Sequence, residues 1–339
     1  MRPFHYSRPS SIAAAVLEMR DTLATDPASS AAFLAGGTTL LDLMKLDVIR
    51  PERIIDLNML RDEFGFIRRD GPRLRLGAFA TMASVAADPH IKAQYPVIAQ
   101  SLTLAASAQL RNMASLGGNV LQRTRCAYFR DPSWGACNKR MRGSGCAALE
   151  GANRMHAVLG TSDHCIATYP GDFAQALLAL DASVVIVSPR ASRVLPFSDL
   201  HREPGATPDV ETTLRADEII VEFIVPVQAW TRRSMYLKIR DRQSYEFALA
   251  SAAVALDLDG GMVREARIAL GGVATVPWRS REAEELLRGQ PLTEDTARSA
   301  AQLAFAGAAP LSHNAFKVSL GQATLVRALM QTASMEIPG

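Results

Sequence analysis

Several features that point to common protein classes are missing from this sequence. Aromatic residues make up only 6% of its 339 residues, and 37 Lys and Arg against 34 Asp and Glu leave a net charge of only +3. Such an even balance argues against nucleic acid or an acidic lipid surface as the main partner. No apolar run approaches the ~18 residues that span a bilayer, so no membrane insertion is expected. The first residues lack the apolar core of a signal peptide, which predicts a soluble, cytoplasmic protein.

Motifs for hydrolysis are missing as well. The sequence has no nucleophile elbow, no H-E-x-x-H helix and no arrangement that suggests a Ser/His/Asp triad. Its six histidines are dispersed without metal-binding spacing. The chain therefore shows no means of hydrolysing a substrate, and electron transfer through a bound cofactor fits it better.

The pattern of apolar residues predicts an α+β fold in three blocks. Residues 1–57 alternate strand and helix in the manner of a βαβ unit. Residues 58–228 are more irregular and include a predicted helix over 89–108. In residues 229–339, two apolar stretches flank Asp259-Gly260-Gly261, a strong hairpin signal, and three helix-like stretches follow. A small antiparallel sheet covered by a helical bundle has the size of a separate domain.

Two paired-glycine turns, Gly36-Gly37 and Gly117-Gly118, are candidates for a phosphate site. Consecutive backbone N–H groups can bind a dinucleotide pyrophosphate where no β-carbon holds it away, and the hydroxyls of Thr38 and Thr39 could add donors. Either pair alone is more often an ordinary tight turn. Neither fits the G-x-G-x-x-G spacing or a Walker loop.

Two charged residues downstream have ordinary interpretations by themselves. Asp172 precedes a predicted helix that reaches Leu180, which is the position of an N-cap. Lys238 alternates with Leu237 and Ile239, so it lies on the opposite face of a strand, where a lysine is usually solvated.

The four cysteines are clustered within 40 residues, at Cys126, Cys137, Cys146 and Cys165. Their spacing, C-x10-C-x8-C-x18-C, is too open for the paired knuckles of a zinc ribbon. Disulfides are the other interpretation, but nothing signals secretion. Unrelated buried cysteines are the simplest interpretation, and the clustering speaks against it.

The residues between these cysteines favour an anionic metal centre. Seven basic residues against two acidic ones lie in residues 123–154, and such an excess would stabilise four thiolates around an iron–sulfur core. Thiolate-bound zinc would also be anionic, so an iron–sulfur cluster ranks first and zinc second. His156 and His164 are near enough to replace a ligand, but four cysteines make them unnecessary.

In their order along the chain, these motifs resemble those of the FAD-binding medium subunit of molybdenum hydroxylases, the family of xanthine dehydrogenase, carbon monoxide dehydrogenase and aldehyde oxidoreductases. The resemblance rests on residues 35–40, on Arg111-Asn112 with residues 115–119, and on Tyr236-Leu237-Lys238. It covers nearly the whole chain. It implies a PCMH-type FAD-binding domain in two parts, 1–57 and 58–228, and a flavoprotein C-terminal domain at 229–339.

The same resemblance implies the FAD contacts. The two turns would hold the FAD pyrophosphate, and a branched residue at Gly37 or Gly118 would then block it. Ala105 occupies a family position that is often aromatic. The implied FAD-binding residues are Ala35, Gly36, Gly37, Thr38, Thr39, Leu40, Ser115, Gly117, Gly118, Asn119, Asp172, Ile220 and Lys238.

The cysteine segment, residues 123–165, resembles the iron–sulfur loop in the FAD subunit of a bacterial periplasmic aldehyde oxidoreductase; such a loop also occurs in 4-hydroxybenzoyl-CoA reductase. The resemblance implies one 4Fe–4S cluster, held by Cys126, Cys137, Cys146 and Cys165.

The family also implies partners, since no molybdenum-site motif or 2Fe–2S motif occurs in this chain. We expect a large molybdenum-cofactor subunit, a small subunit with two 2Fe–2S clusters and an external electron acceptor. The function implied is electron transfer during aldehyde oxidation, and co-export with a signal-bearing partner would place the complex in the periplasm. Three alternatives remain: the FAD subunit of a hydroxylase of xanthine, carbon monoxide or aromatic acyl-CoA type, a stand-alone FAD oxidase, and a non-catalytic iron–sulfur or zinc module.

Overall fold

Three β-sheets organise the chain in the computed structural model, which describes residues 1–25 and 30–337. The first sheet is parallel, with the order β1-β3-β2, and it confirms the predicted βαβ unit. Helix α2 is the next element after β2 and provides the crossover to β3. Its elements are β1 (His5–Ser7), α1 (Ile12–Thr25), β2 (Ala31–Leu34), α2 (Leu40–Lys45) and β3 (Arg53–Asp56).

The second sheet has five antiparallel strands in the order β4-β5-β8-β6-β7. Alternate residues of the central strands point into the main hydrophobic core, as Leu74, Leu76 and Phe223 do. The strands are β4 (Ile67–Asp70), β5 (Arg73–Gly77), β6 (Ser183–Val187), β7 (Ser192–Pro196) and β8 (Ile219–Pro226). A 3₁₀ turn (Asn58–Leu60), α3 (Arg61–Phe64) and, after β7, a second 3₁₀ turn (Phe197–Asp199) complete its surroundings.

Seven helices lie between β5 and β6 and carry most of the residues of interest. The single helix predicted over 89–108 is wrong. Pro96 has no backbone N–H, so a new helix begins there, and the chain becomes extended at Ala105 and left-handed at Ala106 (φ 48°). The helices are α4 (Met82–Ala87), α5 (Pro89–Gln94), α6 (Pro96–Leu104), α7 (Ala108–Met113), α8 (Leu116–Val120), α9 (Ala127–Arg130) and α10 (Phe173–Ala179).

The third sheet is antiparallel in the order β12-β11-β10-β9. Its hairpin is confirmed, because Gly260 and Gly261 both have positive φ (56° and 85°), as a two-residue turn of this kind requires. The elements are β9 (Ser234–Ile239), β10 (Ala250–Asp259), β11 (Met262–Gly271), β12 (Trp278–Arg279), α11 (Arg281–Leu287), α12 (Glu294–Ala304) and α13 (Phe316–Ala333).

This third sheet is buried on both faces. Val254 and Ile268 pack on one face with helices α11 to α13, whereas Ala253 joins the main core on the other. Tyr236 pairs with Ala253 and Lys238 pairs with Ser251, so both side chains point toward the main core. The fold class is therefore α+β, with a small antiparallel sheet and a helical bundle at the C-terminal end. Within the described ranges, no helix is long and apolar enough to cross a membrane.

Candidate functional site

Two adjacent cavities collect the residues that the sequence pointed to. One, of about 240 Å³, lies between the first and second sheets, and the other is about 490 Å³; Thr38, Thr39 and Gly118 line both. Lys238 lies behind the second cavity and forms an ion pair with Asp172, a residue of the cavity wall. The first cavity is lined by Ala35, Gly36, Gly37, Thr38, Thr39, Leu40, Ser115, Gly117, Gly118 and Ile220, and the second adds Asn119 and Asp172.

The first glycine pair forms a tight turn between β2 and α2. Gly37 has a φ of 73°, a conformation that favours glycine. In the described part of the chain, the backbone N–H groups of Gly37, Thr38 and Thr39 donate to no acceptor. These three donors line the cavity, so this turn suits an anionic group such as a pyrophosphate.

The second glycine pair is not a turn, and that prediction is wrong. It lies inside helix α8, where the Ser115 hydroxyl accepts a hydrogen bond from the Gly118 N–H (3.1 Å) and so caps the helix. The Gly117 N–H donates to the carbonyl of Ala78 (2.8 Å). Since both N–H groups already donate within the protein, this segment can offer a ligand space but no backbone hydrogen-bond donors from Gly117 and Gly118.

The glycines therefore serve different purposes. A β-carbon on Gly36 would lie 2.1 Å from the carbonyl oxygen of Met113, so this glycine permits two backbone segments to meet. A β-carbon on Gly37 would point at Leu34 and Leu41 rather than at the phosphate position expected from the sequence. At Gly118 the only neighbour would be Ser115 Oγ at 3.0 Å, so that position faces the open cavity.

Asp172 does not cap helix α10, although it stands at the N-cap position. Its carboxylate instead accepts hydrogen bonds from Lys238 Nζ (2.8 Å) and from the hydroxyl of Tyr236 (2.6 Å). The side chains of Asp172 and Lys238 are only 4% and 1% exposed. This buried ion pair fixes β9 against the second cavity, and Lys238 is not solvated as its strand position suggested.

The loop between β9 and β10 supplies the aromatic residues of the second cavity. Tyr245 and Phe247 line it, and the Arg125 guanidinium lies 5.0 Å above the Phe247 ring. Ala105 lines the same cavity without an aromatic ring. Sequence reasoning missed the loop residues; the one available signal was a connection much longer than a hairpin turn needs.

The cysteine segment brings its four thiols into one neighbourhood. The backbones of Cys137 and Cys146 form an isolated antiparallel β-bridge. The side-chain amide of Asn138 donates a hydrogen bond to the carbonyl of His164 (3.0 Å), the residue before Cys165. Burial raises the pKa of the Cys126 thiol to about 12, and the nearby Cys137 and Cys165 add to that rise. Burial also raises the pKa of Cys165, with further contributions from Cys146 and Cys137.

Histidine 156 is the other polar side chain at these thiols. Its Nε2 lies 3.1 Å from Cys126 Sγ, and its ring is buried. Burial lowers the pKa of His156 to about 4, so the ring is neutral at pH 7. His164, by contrast, is exposed.

The basic residues of the segment mostly bind acceptors other than the thiols, although the charge of Lys139 counteracts the rise in the pKa of Cys165. Six of the seven form ion pairs with carboxylates elsewhere in the chain, which tie the segment to its surroundings. Arg140 instead donates to backbone carbonyls, including that of Phe129 (2.8 Å). The pairs are Arg123 and Lys139 with Glu211, Arg125 and Arg130 with Asp42, Arg142 with Asp209, and Arg154 with Asp241.

Asp42 links the two candidate sites. It lies in α2, directly after the glycine turn, and its carboxylate accepts hydrogen bonds from Arg125 (3.0 Å) and Arg130 (2.8 Å) on either side of Cys126. Burial by itself would raise the pKa of Asp42, but the two guanidinium groups outweigh it and hold the pKa below its usual value.

The metal assignment is not decided by this geometry. All four cysteines are free thiols, so no disulfide joins them. Within residues 1–25 and 30–337, no group of three or more His, Cys, Asp or Glu side chains is arranged to hold a metal ion. The four-cysteine cluster therefore stays a prediction.

Comparison with known proteins adds family information to this geometry. Residues 2–228 match the model of the FAD binding domain in molybdopterin dehydrogenase, and residues 235–332 match that of the CO dehydrogenase flavoprotein C-terminal domain. This chain belongs to the FAD-binding subunits of the molybdenum hydroxylase family. As a member it is a flavoprotein, and the first cavity, between its first two sheets, lies within the matched FAD-binding domain.

Individual relatives of this flavoprotein subunit span almost the same length. It is 42% identical over 334 residues to the aldehyde oxidoreductase FAD-binding subunit PaoB of Escherichia coli strain K12, covering 98% of both chains. It is 27% identical to the carbon monoxide dehydrogenase medium chain of Hydrogenophaga pseudoflava, covering 89% of this chain and 86% of that one.

Solved structures of the family have the same fold. The subunit matches quinoline 2-oxidoreductase from Pseudomonas putida 86 with a TM-score of 0.74, 25% identity and coverage of 98% and 97% of the two chains. It matches carbon monoxide dehydrogenase from Hydrogenophaga pseudoflava with a TM-score of 0.74, 26% identity and coverage of 97% and 96%.

Proposed function

We propose that this chain is the FAD-binding electron-transfer subunit of a heterotrimeric molybdenum-containing aldehyde oxidoreductase. The 42% identity to an aldehyde oxidoreductase subunit over 98% of both chains supports the aldehyde assignment most strongly. Its partners would be a large molybdenum-cofactor subunit and a small subunit with two 2Fe–2S clusters. The complex would pass electrons to an external acceptor, and a signal-bearing partner would decide between cytoplasm and periplasm.

The residues around the two cavities would take different parts in holding the cofactor. A flavin, when bound, accepts and releases electrons singly or in pairs, which suits an outlet that receives them from one-electron clusters. The N–H groups of residues 37–39 would bind its pyrophosphate, and Gly118 would leave room for it. The Asp172–Lys238 pair would hold the wall of the second cavity in place. The proposed domain limits are 1–57, 58–228 and 229–339.

We propose further that Cys126, Cys137, Cys146 and Cys165 hold one 4Fe–4S cluster. Four thiolates are the ligand set of such a cluster, and this core separates its sulfur ligands more widely than a single ion does. The fit is reasonable in its chemistry, because all four cysteines are free thiols and metal coordination would supply the positive charge that buried thiolates need.

Replacing one ligand, Cys146→Ser, should lower both iron and acid-labile sulfide in anaerobically purified protein, because removal of one thiolate leaves a cluster labile. The native chain should contain about four irons and four sulfides. FAD content should fall less, since the proposed FAD contacts lie on other segments. Met141→Leu is the matched control, because this exposed side chain lies in the same segment and should leave iron and sulfide unchanged. One zinc and no sulfide in the native protein would contradict the cluster.

The test of the whole function begins with co-expression of this chain with candidate partner subunits. A stable complex that contains molybdenum, 2Fe–2S clusters and FAD would support the proposal. Turnover of xanthine, carbon monoxide or an aromatic acyl-CoA in place of aldehydes would assign the subunit to another branch of the family. A colourless protein without FAD would contradict the proposal.

A further inference from the structure

The contact between His156 and Cys126 goes beyond what a cluster held by four cysteines needs. His156 is 4% exposed, and its Nε2 lies 3.1 Å from the sulfur of Cys126. The distance is that of a hydrogen bond and not of a loose packing contact. A buried imidazole at this distance from a proposed cluster ligand therefore calls for a chemical explanation.

The tautomer of the ring follows from its two nitrogens. Among the described residues, Nδ1 of His156 is buried and has no hydrogen-bond partner. A proton on Nδ1 would leave a buried N–H without an acceptor and would set the lone pair of Nε2 against an electron-rich sulfur. A proton on Nε2 avoids both costs when Cys126 is a thiolate, which has no proton to donate to the ring. Toward a Cys126 thiolate, the ring would accordingly donate from Nε2 to Sγ.

Contacts of both the backbone and the ring hold His156 in this position. Its N–H donates to the carbonyl of Asn153 (3.0 Å), and its ring packs 6.1 Å from that of Tyr128. The side-chain amide of Asn314, from the C-terminal part of the chain, donates to the carbonyls of His156 (3.4 Å) and Ala157 (3.1 Å). The donor is therefore fixed in place before any cluster binds.

We propose that His156 is a positioning residue that donates an N–H···S hydrogen bond to the Cys126 thiolate and thereby raises the reduction potential of the cluster. The inference rests on the proposed 4Fe–4S cluster. One-electron reduction makes a cluster more negative and its sulfur ligands better acceptors, so a hydrogen bond to a ligand stabilises the reduced form more than the oxidised form. No proton is transferred in this step.

The test is a redox titration of the cluster, followed by electron paramagnetic resonance, in the purified complex. His156→Leu removes the donor at similar volume, whereas His156→Gln places an amide N–H near the position of Nε2. At the native midpoint potential, the ratio of reduced to oxidised cluster should fall about three- to tenfold in His156→Leu, because the lost hydrogen bond is stronger to the more negative, reduced cluster than to the oxidised one. His156→Gln should recover most of this loss.

The matched control is His164→Leu, which removes an exposed histidine from the same segment and should leave the midpoint unchanged. Iron and sulfide are measured first in every variant. Absence of a cluster from the native chain would contradict the proposed function itself. A native cluster whose potential does not change in His156→Leu would overturn only the role of His156. Loss of the cluster from His156→Leu but not from His156→Gln would support the donor, and loss from both would contradict it.

Discussion

Gly118→Val should weaken FAD binding at least about tenfold while the fold survives. The β-carbon of residue 118 faces the cavity and would meet only Ser115 Oγ, so the two γ-methyl groups of valine would occupy ligand space. Overpacking of a well-filled site costs about 1–3 kcal/mol, and about 1.4 kcal/mol corresponds to tenfold in affinity. The measurement is FAD per chain in the purified protein, with a dissociation constant from flavin fluorescence.

The fold should tolerate this change because Gly118 lies in helix α8, where valine is a better helix former than glycine. Gly307→Val is the control: a β-carbon there would meet nothing within 4 Å. Gly36→Val would not be informative, because its β-carbon would collide with backbone at Met113. Full FAD occupancy and unchanged affinity in Gly118→Val would show that the cofactor does not lie in this cavity.

Asp172→Ala should lower the free energy of unfolding by about 3–5 kcal/mol, the cost of leaving one member of a buried ion pair without its partner. Lys238 would remain buried with only the carbonyl of Leu104 (3.2 Å) as acceptor, and the Tyr236 hydroxyl would lose its acceptor. Urea denaturation followed by tryptophan fluorescence measures the loss. The measurement uses FAD-free protein, because bound FAD stabilises the fold by an amount that depends on its affinity, which this substitution in the cavity wall would also change.

Two controls separate the buried pair from ion pairs in general. Glu294→Ala breaks a pair with Arg298 in which both side chains are 61% exposed, and it should cost less than about 0.5 kcal/mol. The double variant Asp172→Ala/Lys238→Met should recover much of the loss, because no charge then stays buried without a partner. A loss no larger for Asp172→Ala than for Glu294→Ala would show that the buried pair does not support the cavity wall.

Local patterns were enough to predict several parts of this architecture. The βαβ unit and the hairpin at Gly260-Gly261 follow from strand periodicity and from turn residues with positive φ, which are properties of neighbouring residues. The alternation of Lys238 with Leu237 and Ile239 also predicted the correct face of β9. It could not predict that this face is buried.

Contacts between segments that are distant in the sequence determined the features that local sequence patterns could not predict. The partner of Lys238 is Asp172, which stands 66 residues earlier at a position typical of a helix cap. The carboxylate binds the lysine instead of the helix N-terminus, because packing of α10 against the third sheet brings the two together. The second glycine pair likewise became helical because the Ala78 carbonyl, beyond the end of β5, accepts the Gly117 N–H and the Ser115 hydroxyl accepts the Gly118 N–H.

The clustering of the four cysteines was visible in the sequence, but the partners of the basic residues in this segment were not. Its excess of basic residues suggested stabilisation of thiolates, yet most of these side chains bind carboxylates from segments far away in the sequence, such as Asp42 and Glu211. No local rule names such partners. The contact of His156 with Cys126 was also beyond prediction, because thirty residues separate them.

The central claim is that this flavoprotein subunit transfers electrons which another subunit takes from an aldehyde. The most direct measurement mixes an aldehyde anaerobically with the assembled complex or with the isolated FAD-loaded chain and follows the bleaching of the flavin absorbance. The flavin should be reduced rapidly in the complex and should stay oxidised in the isolated chain. Rapid reduction by aldehyde in the isolated chain would contradict the account and would show a stand-alone FAD oxidase.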